Sequence, residues 1–192
     1  MNLPIGCVTS SLDAVDDDLT TASTQRILAV CRAMVACTGC VLHGSPVMPA
    51  LSSLAPRRAN DADKPSGNQS AVYAGQNVEA VLMHAVINRT YLSTRFTSYR
   101  LGYRFEAGHF VPRVTANVYT LVKQSDPRVY TDGFVYVFDR TYFHQSPECA
   151  VEFFALTAVI PSRRLKVPAS VGQHLLGEYA IEILPHCESA EP

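Results

Sequence analysis

Val41-Leu42-His43-Gly44-Ser45 and, further on, Ala71-Val72-Tyr73-Ala74-Gly75 carry the strongest strand signals in the chain. Cys40-Val41-Leu42-His43 is a short apolar run of the kind that forms a buried strand, and Gly44-Ser45-Pro46 follows with residues that break one. Ala71-Val72-Tyr73-Ala74 is a second strand signal. After Gly75, the residues Val78, Val81, Leu82, Ala85 and Val86 recur at helical spacing over 77–89, so this strand leads through a tight turn into a helix.

Working outward, the segment before the first strand is a helix over 19–36. Ile27, Leu28, Val30, Cys31, Met34 and Val35 supply its apolar side and Gln25, Arg26 and Arg32 the other, with Gly39 ending it. Residues 1–18 read as an irregular N-terminal segment, whose Asp16, Asp17 and Asp18 suit the positive end of a helix dipole. Residues 46–70 hold Pro, Ser, Ala, Asn and Asp with Arg57 and Arg58 and show no periodicity after Leu54. A loop of that length is ordinarily functional or disordered, and its place directly after His43 makes it either a lid or an inert surface insertion.

Beyond Thr90 the texture changes to Tyr, Phe, Val and Thr, in runs over 96–105, 110–123, 129–139, 151–160, 165–167 and 179–184. Turn chemistry separates them at Glu106-Ala107-Gly108, Ser125-Asp126-Pro127, Asp132-Gly133, Ser146-Pro147 and Pro161-Ser162. A helix-containing front and a β-rich back predict an α+β fold over 1–192 as a single domain. Its core is expected to be a split antiparallel sheet with N-terminal and central helices.

Composition excludes more than it selects. Of 192 residues, 47% are hydrophobic and 17% charged, and the formal charge of -1 has no basic block, so the electrostatic footprint of a duplex nucleic-acid binder is missing. No apolar run approaches a bilayer span, and residues 1–12 lack the basic start and apolar middle of a signal peptide. The expectation is a cytoplasmic protein without a membrane partner.

Six cysteines, Cys7, Cys31, Cys37, Cys40, Cys149 and Cys187, are scattered through a chain large enough to fold without disulfides. Cys37 and Cys40 have Cys-x-x-Cys spacing, with Cys31 and His43 nearby, which opens a zinc or redox alternative. A structural zinc site uses two chelating pairs, and the adjacent His186 and Cys187 make a poor second one. The thiols are therefore read as packing residues with no metal bound.

Phosphate-cradling glycine motifs, the Gly-x-Ser-x-Gly elbow and His-Glu-x-x-His are all absent. What remains is an ordered trio: His43-Gly44-Ser45, then Tyr73-Ala74 leading into a helix, then Glu152 followed by Phe153 and Phe154. In this order, with the run Gly133-Phe134-Val135-Tyr136-Val137-Phe138, then Phe143, and the later Pro161–Val167 stretch, residues 40–168 resemble the ADP-ribosyltransferase fold. The likeness is to the poly(ADP-ribose) polymerase and diphtheria-toxin side and to small bacterial rifampin ADP-ribosyltransferases. The family often carries Thr where this chain has Gly75.

The resemblance implies a substrate, NAD, and a role for each position. His43 would anchor a ribose hydroxyl, with Gly44, Ser45 and Ala74 alongside in the NAD-binding set. Gly44 would let the backbone approach the nicotinamide amide, and Tyr73 would stack on the nicotinamide ring. Glu152 would stabilise the positive charge that develops on the ribose as the glycosidic bond breaks. Arg57 or Arg58 would reach the pyrophosphate. The chemistry suits these residue types, since a carboxylate beside the ribose acts on charge present only in the transition state and an aromatic face suits a flat cationic ring.

Glu148, Glu178 and Glu182 compete with Glu152 for the acidic place. The implied activity is transfer of ADP-ribose to a protein, nucleic-acid or small-molecule acceptor, or NAD hydrolysis. A bacterial-toxin role would add an antitoxin or immunity protein as partner. Read without the resemblance, His43 is a hydrogen-bonded strand histidine, Tyr73 is core and Glu152 is the solvent side of a strand. A non-catalytic nucleotide- or partner-binding module, or a different nucleotide reaction as in the RNA 2'-phosphotransferases of this fold, are the alternatives.

Overall fold

The computed structural model describes residues 15–36, 40–58, 69–106 and 109–185. Its centre is β2 (Cys40–Ser45), the strand that sequence places there, lying between β7 (Gly133–Asp139) and β4 (Ser70–Gly75) and antiparallel to both. β2 continues through Gly44 and Ser45, because β7 pairs with it in register from Cys40–Asp139 to Ser45–Phe134. The sheet extends past β7 through β10 (Arg163–Val167) to β1 (Val15–Asp18), and past β4 through β9 (Glu152–Ala155) to β8 (His144–Gln145). β3 (Arg57–Arg58) adds to β4 off this path.

Five α-helices lie among the described residues. α2 (Val78–Val86) is capped by Asn77, whose side chain accepts from the amide of Ala80 at 2.8 Å. All of its residues but Glu79 and His84 are buried. Val81, Leu82 and Ala85 join α1 (Thr24–Ala36) and α5 (Ser170–Glu178) in a core on one sheet face, whereas Ala80 and Met83 turn to a second core. That second core is built from α3 (Arg89–Arg95), α4 (Ala116–Lys123) and a small sheet of β5 (Leu101–Glu106), β6 (His109–Thr115) and β11 (Glu182–Leu184). α2 sits tight on the large sheet because two strand positions lack a Cβ. One placed on Gly44 would lie 2.0 Å from the carbonyl oxygen of Val81, and one on Gly133 would lie 1.8 Å from that of Ala85.

The mixed α+β class expected from sequence is present, with two differences in the sheets. β1 runs parallel to β10 and β11 parallel to β6, so neither sheet is purely antiparallel. The segment to residue 18 is not irregular throughout: Val15–Asp18 form an edge strand, Arg163 pairs with Asp17 at 2.8 Å, and Asp18 accepts from both the amide and hydroxyl of Thr20. The acidic triplet thus ends a strand, and Ser23 stands at the start of α1, its Oγ accepting from the Arg26 amide at 3.3 Å.

One expected strand gives way in part to a helix, and a second helix fills a gap between expected strands. The expected strand over 110–123 stops at Thr115, and Ala116–Lys123 are helical. Val118, Thr120 and Val122 alternate like a strand, yet Val118 and Leu121, one helical turn apart, are the residues that bury. α5 occupies part of the gap left between the last two expected strands, where Gly172 and Gly177 weaken the helical signal.

The 46–70 segment is only partly a loop. Ala50, Leu51 and Leu54 pack on the sheet face opposite α2, against a cluster that includes Tyr136, Phe138 and Phe153. Tyr136 fixes it further, its hydroxyl accepting from the Leu51 amide at 3.0 Å, and Leu54 bridges to Val159. Arg57 and Arg58 then pair with Ala71 and Ser70. The middle of the expected lid, 59–68, lies outside the described residues.

Candidate functional site

β2 and β4 pair in register at Leu42–Gly75, and beyond that point a side chain joins them. The Nδ1 atom of His43 lies 2.6 Å from the main-chain oxygen of Tyr73. A carbonyl only accepts, so Nδ1 carries the proton, and in the neutral ring Nε2 is then an acceptor. Burial keeps the ring neutral by pushing its pKa below the usual imidazole range, and the charge of Arg57 acts in the same direction against the bond to Tyr73. Arg57 sits on β3 opposite Ala71, so the strand pairing brings its charge within reach of His43. Both arginines are exposed, and strand alternation turns Arg58 to the other side.

β9 completes the arrangement. Tyr73 stands opposite Phe154 and Gly75 opposite Glu152, so Tyr73 and Glu152 are diagonal neighbours on one sheet face. Gly75, directly across from Glu152, puts no side chain between them. Val72, Ala74, Phe153 and Ala155 fill the opposite face, which places Ala74 in the core away from the Tyr73 ring. The hydroxyl of Tyr73 donates to the Gln69 carbonyl at 3.0 Å, fixing the half-buried ring along its own strand.

The remaining residues of the expected set have local reasons to be where they are. Gly44 faces α2, and the close approach of that helix fills the space a side chain would need. Ser45 is buried, its hydroxyl accepting from the Val47 amide at 3.3 Å in the turn that leaves β2. Of the competing acids, Glu182 is held by Arg104 and Arg113, which lower its pKa, and Glu178 is exposed at the end of α5. Glu148 lies in the turn before β9, 3.3 Å from the Ser146 hydroxyl. Glu152 is the one of the four on the face that Tyr73 occupies.

Three residues join the site without having been singled out from sequence. Tyr103 of β5 donates its hydroxyl to Glu152 Oε1 at 3.1 Å, across 49 positions of chain. His84 of α2 meets the Tyr103 ring edge-on at 5.9 Å. Arg89 donates to His84 Nδ1 at 2.9 Å, which makes that nitrogen the acceptor and puts the proton of the neutral ring on Nε2. Burial, the charge of Arg89 and the nearness of His43 push the His84 pKa down to about 3. His43 and His84 are thus held neutral as opposite tautomers. His84 left a trace in the sequence, an ionisable residue inside the apolar run from Ala80 to Val86; Tyr103 and Arg89 left none.

Of the six cysteines, Cys31, Cys40 and Cys149 lie among the described residues. Cys31 is buried in the α1 core, its thiol pushed up to about 12 by burial, and Cys40 is half-buried at the start of β2. Cys37, the other half of the Cys-x-x-Cys pair, lies outside the described residues. Among the described residues no group of three or more His, Cys, Asp and Glu side chains is arranged to hold a metal, and no helix is long and apolar enough to cross a membrane. A hollow of about 340 Å3 lined by residues including Lys123, Ser125, Tyr130 and Gln173 lies between α4 and α5 and shares no residue with the His43 cluster. Compared with protein-family models, curated proteins and solved structures, the chain matches none.

Proposed function

We propose that the protein is an NAD-dependent ADP-ribosyltransferase or NAD glycohydrolase working where β2 and β4 part, with Tyr73 and Glu152 on one sheet face and His43 reaching the Tyr73 carbonyl from the Tyr136 side of β2. The observation that carries this reading is the diagonal placement of Tyr73 and Glu152 on one sheet face, with His43 bonded to the Tyr73 carbonyl from the neighbouring strand. Neutral His43 offers Nε2 to a ribose hydroxyl, and Tyr73 offers an aromatic wall to the nicotinamide ring. Glu152 supplies negative charge to the ribose as the bond from its anomeric carbon to the nicotinamide nitrogen breaks. The bonding pair leaves with nicotinamide, neutralising its ring, while positive charge spreads over the ribose carbon and ring oxygen. Water or an acceptor hydroxyl or amine then attacks that carbon and loses a proton to solvent, or an acceptor carboxylate attacks it with no proton to lose. Arg57 supplies positive charge for the diphosphate.

A carboxylate on the Tyr73 face favours an enzyme over a binding module on the same fold. The identity of the acceptor, and any neutralising partner, belong to the same proposal. Calorimetric titration of the purified protein with NAD tests it. Saturable 1:1 binding, lost in Tyr73→Ala and in His43→Ala, is the expected result; absence of binding by the unaltered protein overturns the reading.

A further inference from the structure

Glu152 opens its strand directly after the turn of 146–151, and the position across from it is a glycine. A carboxylate with three free torsions is a poor electrostatic catalyst, because holding it in place at the moment of reaction costs entropy. A hydrogen bond from the second sheet meets that need. The Tyr103 hydroxyl donates to Glu152 Oε1 at 3.1 Å, while its ring is packed against His84 at 5.9 Å, Phe105 at 5.6 Å and Phe110 at 5.8 Å. His84 is itself held by Arg89, so the ring that carries the hydroxyl rests on fixed neighbours.

We propose that Tyr103, carried by the β5–β6 hairpin, is the positioning residue that fixes the Glu152 carboxylate for its work on the ribose, an inference that rests on the transferase reading. Tyr103 acts through Glu152. The small sheet is thereby coupled to the large one at the reacting end of the site, which gives the hairpin a reason to lean on β9.

Two measurements test this together. Steady-state NAD cleavage by Tyr103→Phe, which keeps the ring and its packing, is expected to show kcat reduced about tenfold with KM for NAD changed less than twofold, the pattern of a lost transition-state contact. Thermal melting of Tyr103→Phe, Glu152→Ala and the double variant is expected to be non-additive, the double variant losing less Tm than the single losses summed. Unchanged kcat in Tyr103→Phe beside an active wild type overturns the positioning role alone, as do strictly additive losses of Tm. Lack of NAD cleavage by the wild type overturns the transferase reading and this role with it, and the melting cycle then reports only whether the bond exists.

Discussion

His43 donates through Nδ1 to the main-chain oxygen of Tyr73 at 2.6 Å, so one side chain both joins two strands and presents its second nitrogen as an acceptor. The two tasks separate by substitution. In His43→Asn the side-chain amide can donate in place of Nδ1 but has nothing where Nε2 was. That variant is expected to keep wild-type stability in urea and lose NAD binding. His43→Ala removes that bond to the Tyr73 carbonyl and is expected to lose about 1–3 kcal/mol as well.

Gly44 is the narrowest point between α2 and the sheet. Because an added Cβ would lie 2.0 Å from the Val81 carbonyl, Gly44→Ala must push the helix away or bend β2. Denaturant titration should show a loss of roughly 3 kcal/mol, at the upper end for overpacking. A near-neutral result would mean that α2 does not seat on β2 as described.

Acid should weaken the fold through His84. Its pKa in the folded protein is pushed down to about 3 from an ordinary 6.5, so between those values the unfolded chain binds the proton and the folded one does not. The stability tied to the neutral ring is therefore complete above about pH 6.5 and falls away as the pH drops towards 3. His43 shifts in the same direction, and paired acids such as Glu182 add their own loss at lower pH. The expected signature is a drop in Tm between pH 7 and pH 5 that is smaller in His84→Asn than in the wild type. Equal drops would remove His84 as a contributor.

Arg57 is the cation that strand pairing brings towards His43. If it serves the diphosphate, Arg57→Ala should weaken NAD about tenfold, as expected for one charge-assisted contact. Nicotinamide riboside, which has no phosphate, should bind equally well to both proteins. Equal weakening of the two ligands would assign Arg57 to the ring or ribose end instead. Arg58, exposed on the other side of β3, is the control whose replacement should change neither.

Much of the central fold is legible in local sequence. β2, β4 and α2 each announce themselves through an apolar run or a helical period, and Gly75 with Asn77 marks the turn between them. The acidic edge strand at Val15–Asp18 is not legible, because its three carboxylates look like helix-entry charge until β10 is seen beside them. α4 is concealed by its β-branched residues, whose burial by one helical face overrides their strand propensity. In the site, His43 and Tyr73 are visible as strand-end residues, whereas Tyr103 becomes relevant only when β5 comes over β9. A contact across 49 positions between two sheets has no local periodicity to betray it. The placement of the four glutamates is likewise a tertiary matter: Arg104 and Arg113 engage Glu182, and Glu152 stands across from Gly75.

In the proposed reaction Glu152 acts on the nicotinamide–ribose bond beside Tyr73. Release of free nicotinamide from NAD by the purified protein, followed by chromatography for the wild type and for Glu152→Gln, tests it most directly. The account predicts steady release by the wild type and a rate at least about a hundredfold lower for Glu152→Gln, with NAD still bound, as for loss of a charge that matters in the transition state. Equal rates for the two proteins, or no release by the wild type, would contradict it.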